Sequence, residues 1–268
     1  MTFKKLSWVF KRHPLLYKTR FKLLSKNTTA EDIQHCSYNT HNTKEEIPPV
    51  FREINQQIFI DFDGGSDFDK IKHLCIWLKN SIKGGPGLSE PSDSALETML
   101  SGKGGVCSDM VQIFNNFCVI NDIKVREWGN TRAPYNKFYG GHSFNEVYCE
   151  STNKWILIDV YNSLLFFDTK KQPLSVIELY HNLRNGYKVH YECFNSEYHI
   201  HADTVFRNFL DPNTVPFLIC NYSNKTYDNY LHKLRPQIPV FAVHFILFVF
   251  GMSYEYHFPI DDYKRIFS

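Results

Sequence analysis

The chain has 268 residues, 43% apolar and 22% charged, a balance that supports a buried core and excludes a disordered or fibrous polypeptide. A net charge of +2 leaves no electrostatic footprint for nucleic acid, and no such partner is expected. Seven cysteines stand scattered at positions 36, 75, 107, 118, 149, 193 and 220 with no Cys-x-x-Cys pair. That spacing argues against a zinc site built on close cysteine pairs and against a dense disulfide framework, so a reducing compartment is the simpler reading.

Residues 1–27 are basic (Lys4, Lys5, Lys11 and Arg12 among others), carry no acid, and interleave Trp8, Phe10, Leu15 and Phe21 with the charges. The expectation is an arm whose aromatics pack on the main domain while its lysines stay in water. The alternative is peripheral contact with an anionic membrane surface or a phosphate-bearing polymer. No apolar stretch of signal-peptide length interrupts the basic pattern, so a cytoplasmic location is expected, with membrane association as the variant. Residues 1–50 read as this arm plus a polar linker, with a short helix over Ala30–His35. Ile58-Phe59-Ile60 reads as a short strand. Asp61-Phe62-Asp63-Gly64-Gly65 opens like a calcium loop but lacks the spacing and the closing glutamate, and no metal is assigned to it.

From Phe68 to Ile82 the apolar residues Phe68, Ile71, Leu74, Cys75, Leu78 and Ile82 fall on one helical stripe that Ser66 or Asp67 can cap. Lys83-Gly84-Gly85-Pro86-Gly87 breaks it. Ser94–Leu100 reads as a second short helix. A Gly-rich turn, Ser101–Gly105, then delivers Cys107 to the start of an apolar run, Met110–Ile120, whose Met110, Ile113, Phe114 and Phe117 keep helical spacing. Cys107 is therefore expected near a helix N-terminus, with Ser108 or Asp109 as cap. Free N–H groups and the positive dipole end favour a thiolate there and can hold an oxyanion.

Ile123–Trp128, His142–Tyr148 and Trp155–Val160 alternate as strands, separated by a loop at 129–141 and a turn at 150–153. A helix followed by antiparallel strands is an α+β layout. A hairpin folded about Ser151-Thr152 sets His142 and Asp159 as cross-strand neighbours. An imidazole held by a carboxylate on one nitrogen and facing a thiol with the other is the arrangement of a cysteine nucleophile.

This ordered set resembles the transglutaminase-like superfamily, cysteine enzymes of the papain-like class, over about residues 66–163. The resemblance rests on Ile76-Trp77-Leu78, Gly105-Val106-Cys107-Ser108-Asp109, Ile123-Lys124-Val125-Arg126, His142-Ser143-Phe144-Asn145-Glu146-Val147-Tyr148 and Trp155-Ile156-Leu157-Ile158-Asp159. It implies a papain-like core with a helix packed on an antiparallel sheet, and terminal additions around it. It also implies Cys107 as nucleophile, His142 as base and acid, Asp159 as orienting carboxylate, no cofactor and no metal. The family commonly has Ala-Trp after the histidine and proline after the aspartate; here Ser143-Phe144 and Val160 stand instead, which bears on specificity. Arylamine acetyltransferases share the Cys, His, Asp order, but Lys103 stands where they usually carry arginine.

The domain reading is an arm and linker at 1–50, a catalytic core at 51–165 and a C-terminal extension at 166–268. In the extension, Ser175–Leu183 reads as a helix, and Tyr198–Asp203 as a strand offering His199 and His201 on one face plus Asp203, a set that could bind a transition metal but reads more simply as a polar face near a cleft. Asp211–Asn213 and Asn224-Lys225 read as turns. Ile238–Phe250 is strongly apolar but short of a membrane span, so a buried strand or core helix is favoured over a membrane-dipping segment. The implied activity is cysteine-dependent acyl transfer on a peptide or amide-bearing substrate, of amidase, peptidase or transglutaminase type. A non-catalytic binding or scaffolding module is the alternative.

Overall fold

The computed structural model describes residues 14–136 and 138–268; the basic residues at 1–13 lie outside that range. Among the described residues one sheet of eight strands organises the chain, in the order β1-β8-β7-β2-β3-β4-β5-β6. The strands are β1 (Ser25–Asn27), β2 (Val125–Arg132), β3 (His142–Cys149), β4 (Lys154–Asp159), β5 (Leu164–Phe167), β6 (His190–Cys193), β7 (Thr214–Cys220) and β8 (Glu255–Phe258). β1 runs parallel to β8, and every other pairing is antiparallel. The helices are α1 (Pro14–Leu24), α2 (Pro49–Ile58), α3 (Asp67–Ser81), α4 (Ser92–Leu100), α5 (Cys107–Ile120), α6 (Val176–Arg184), α7 (Asn224–Leu234) and α8 (Val240–Val249), with a short helical stretch at Ala202–Leu210.

Strand alternation sorts the core into two layers. Val125, Val147, Cys149, Ile156 and Ile158 point to one face, where they meet Ile71, Leu74 and Leu78 of α3 and Ile113, Phe114 and Phe117 of α5. Trp128, Phe144, Leu157, Leu164 and Phe166 point to the other, under Leu179 of α6 and Phe209. Each fully buried Leu, Ile or Phe of this kind contributes about 1.5–3 kcal/mol. α3 begins as its cap predicts: Ser66 Oγ accepts from the Asp69 N–H at 3.2 Å, and Asp69 returns a bond to the Ser66 N–H at 3.1 Å. The fold is α+β, a helix packed on an antiparallel sheet with additions at both ends of the chain.

Several expected elements differ. Ile58-Phe59-Ile60 is no strand: Ile58 closes α2, and it is buried while Ile60 is 78% exposed, whereas a strand would place them on one face. Pro49 at the start and Phe51, Ile54 and Ile58 at helical spacing make this segment a helix. Ala30–His35 forms successive turns rather than a helix. The backbone bonds there are single i to i+3 turns, Gln34 N–H to Glu31 O and Cys36 N–H to Ile33 O, and the carbonyls of Ile33, Gln34 and Cys36 accept from the Arg126 guanidinium. β2 runs on to Arg132, because β7 pairs along it as far as Thr214, which shortens the expected loop. Tyr198–Asp203 is not a strand, since the sheet ends at β6, and His199 and His201 are exposed. Asn224 opens α7 behind a Ser223 cap instead of sitting in a turn. Ile238–Phe250 forms α8, which buries Val243 and Leu247 and leaves Phe245 and Val249 exposed. Among the described residues no helix is long and apolar enough to cross a membrane.

Candidate active site

Two glycine loops are bonded across each other ahead of α5. The Gly85 N–H donates to Gly105 O at 2.8 Å, and the Gly105 N–H donates to Pro86 O at 2.9 Å. A side chain would not fit this crossing: at Gly85 (φ +154°) a Cβ would sit 2.9 Å from the Gly104 Cα. The loop ends at Val106, and Cys107 is the first residue of α5. Asp109, in the first turn, accepts from the N–H groups of Val106 at 2.9 Å and Leu88 at 3.2 Å, so it caps the helix as expected and ties both loops together. The N–H of Cys107 is among the first-turn donors that α5 cannot satisfy internally.

The β3–β4 register opposes Asn145 to Ile158 and Val147 to Ile156, which makes His142 and Asp159 diagonal neighbours on one face. His142 Nε2 lies 2.8 Å from Asp159 Oδ2. Asp159 is fully buried, and its oxygens also accept from the Asn162 side chain at 2.8 Å and the N–H groups of Tyr161 and Asn162 at 3.1 and 3.2 Å. The His142 ring is fixed between Phe144 and Phe209. With Nε2 engaged, Nδ1 is the ring nitrogen left to act on Cys107, whose thiol the imidazole pulls down. Cys107 Sγ also accepts from the Ser143 N–H at 3.5 Å.

Electrostatics separates the two protons. Burial pushes the Cys107 thiol up, but the hydrogen bond and charge of His142, with the Ser143 N–H, outweigh it and hold the thiol below its ordinary value. Burial pulls His142 down, while the charge and hydrogen bond of Asp159 and the contact with Cys107 push it up to about 10. Both shifts move the pair toward thiolate and imidazolium.

A cleft of about 570 Å³ opens beside this group, lined by Cys107, His142, Gly140 and Gly141 and further by Arg20, Tyr227 and Tyr254. Sequence reasoning missed Glu127, which also lines it. Glu127 is buried, accepts from the side chains of Gln112 and Asn115 on α5, and is pushed up to about 8, first by burial and further by Cys107. Its signal was present: Glu127 shares the inward phase of β2 with Val125. Among the described residues the cluster able to offer three metal-ligating atoms is Cys36, Cys220 and His257, none of which lines the cleft. His199 and His201 belong to no such cluster.

Residues 60–160 match the family model of the transglutaminase-like superfamily. A solved structure similar to this chain is a candidate cysteine protease from Cytophaga hutchinsonii, at 19% identity and a TM-score of 0.33, covering 41% of this chain and 37% of that one. The chain thus spans little more than a third of that protein's length. No curated protein matches the chain.

Proposed function

We propose, from the match of residues 60–160 to the family model of the transglutaminase-like superfamily, that the chain is a cysteine-dependent acyl-transfer enzyme, with Cys107 as nucleophile, His142 as base and acid, and Asp159 as orienting carboxylate. The observation that carries the reading is the convergence of a helix-N-terminal thiol, an imidazole and a buried carboxylate. Cys107 Sγ attacks the carbonyl carbon of an amide in the cleft. A C–S bond forms, and the carbonyl oxygen takes the negative charge, facing the Cys107 N–H. As the tetrahedral species collapses, the C–N bond breaks and the leaving nitrogen takes the proton from His142 Nδ1. A thioester remains. Water, deprotonated by His142, then releases an acid and restores the thiol; an amine in place of water yields a new amide.

The substrate class is a peptide or other amide-bearing chain able to lie in the cleft. The test is a thiol-reactive probe with site identification by mass spectrometry. Cys107 should label ahead of the other six cysteines, and Cys107→Ala should abolish turnover of any substrate so found while leaving the circular dichroism spectrum unchanged. Equal labelling of all accessible cysteines, or full turnover by the alanine variant, rejects the assignment and favours a binding module.

A further inference from the structure

We propose that Cys36, Cys220 and His257 form a zinc site that fastens the segment after β1 to the sheet. Both sulfurs and a ring nitrogen of His257 lie within 4.8 Å of one another. Tetrahedral zinc, with bonds of about 2.3 Å to sulfur and about 2.0 Å to nitrogen, sets edges of about 3.5–3.8 Å between such ligands. Closing the cluster around an ion therefore takes side-chain adjustments of about 1 Å.

The fold builds this cluster from three distant stretches. In the β7–β8 register His257 opposes Leu218 and Glu255 opposes Cys220, so Cys220 and His257 are diagonal neighbours on one face. Cys36 is brought over that face by the turns that bury Ile33 beside Leu218, and its carbonyl is held by the Arg126 Nε at 2.6 Å.

Three further observations point to an ion. His257 is buried, and among the described residues its Nδ1 has no hydrogen-bond partner, an orphan that costs stability unless something binds it. Its Nε2 sits 2.9 Å from Glu255 Oε2, the carboxylate contact that orients a metal-ligating histidine. The cysteines are free thiols rather than a disulfide. Two thiolates and one imidazole around a divalent ion make a neutral site, and Glu255 is separately balanced by Lys26 at 2.6 Å, so no net charge is buried. A cavity of about 180 Å³, lined by Cys36 and Cys220, adjoins them and has room for a water as fourth ligand. Mixed sulfur and imidazole donors suit zinc over calcium or magnesium.

The experiment uses the full chain, expressed in zinc-supplemented medium and purified under reductant. Elemental analysis should return about one zinc per chain, retained in Cys107→Ala and reduced by about tenfold or more in Cys220→Ser and in His257→Ala. Cobalt substitution of the wild-type protein supplies a readout that needs no variant: a thiolate-to-cobalt charge-transfer band and the visible bands of tetrahedral cobalt. Zinc content near zero with no thiolate–cobalt band overturns the site. So does metal that survives both ligand variants, or a Cys36–Cys220 disulfide in the protein kept under reductant.

Discussion

Replacing Glu127 by glutamine tests the electrostatics of the cleft most directly. The carboxyl is lifted from 4.5 to about 8 in the folded chain, chiefly by burial. Between those values the unfolded chain is ionised while the folded one retains a proton, so folding stability falls as pH rises through the window. At about 1.36 kcal/mol per unit, a shift of about 3.5 units costs up to about 5 kcal/mol by pH 8. Glutamine keeps an acceptor for Gln112 and Asn115 and has no proton to lose. Urea unfolding of both proteins from pH 5 to pH 8 should therefore show Glu127→Gln gaining on the wild type by about 1.4 kcal/mol per pH unit. A difference that stays flat over this range would refute the reasoning, because Glu127 would then be ionised in the folded state. The protonated acid also bears on the proposed chemistry: ionisation above about pH 8 puts a like charge near the Cys107 thiolate and should depress its formation.

The pH profile of Cys107 should show two limbs. Alkylation by a neutral reagent should rise through a pKa below that of a free thiol, whereas turnover should fall again above about 10, where His142 loses the proton it must deliver to the leaving group; alkylation that follows a free-thiol curve would contradict this. Asp159→Asn keeps the bulk but removes the charge that raises His142, so the fall in turnover should begin below about 10 and kcat/KM should drop by roughly 10²–10⁴. A descending limb unchanged in that variant would show that the carboxylate does not act through the imidazole. Gly85→Ala forces a Cβ against the Gly104 backbone and should cost about 1–3 kcal/mol in urea unfolding. It should reduce Cys107 labelling as well, since the displaced loop is the one that delivers the cysteine.

The position of the proposed nucleophile illustrates why the thiol needs its surroundings. A buried cysteine is ordinarily pushed toward the neutral form, as Cys75 and Cys118 are in the same core layer. Cys107 feels burial in the same direction, and only its partners, His142 and the Ser143 N–H, reverse the outcome.

The local sequence determined what depends on short-range pattern. Ser66 ahead of an apolar stripe led to α3, the glycine turn and apolar run placed Cys107 at the head of α5, and alternation about the Ser151-Thr152 turn set β3 beside β4 with His142 near Asp159. These features rest on caps, periodicity and hairpin register, all of which act within a few residues. What only the tertiary structure decided is long-range. Alternation put Glu127 on the inward face of β2, but nothing local marked it as protonated, since its environment comes from Gln112 and Asn115 on another element. For Ile58 and Ile60 the local helix signal of Pro49, Phe51 and Ile54 competed with a strand reading, and the burial of Ile58 with Ile60 in solvent decided between them. Cys36, Cys220 and His257 lie in three stretches that meet when β7 pairs with β8 and the chain after β1 crosses their face. Cysteine spacing carries no trace of that meeting, because the sheet register, and not the distance along the chain, brings the three side chains together.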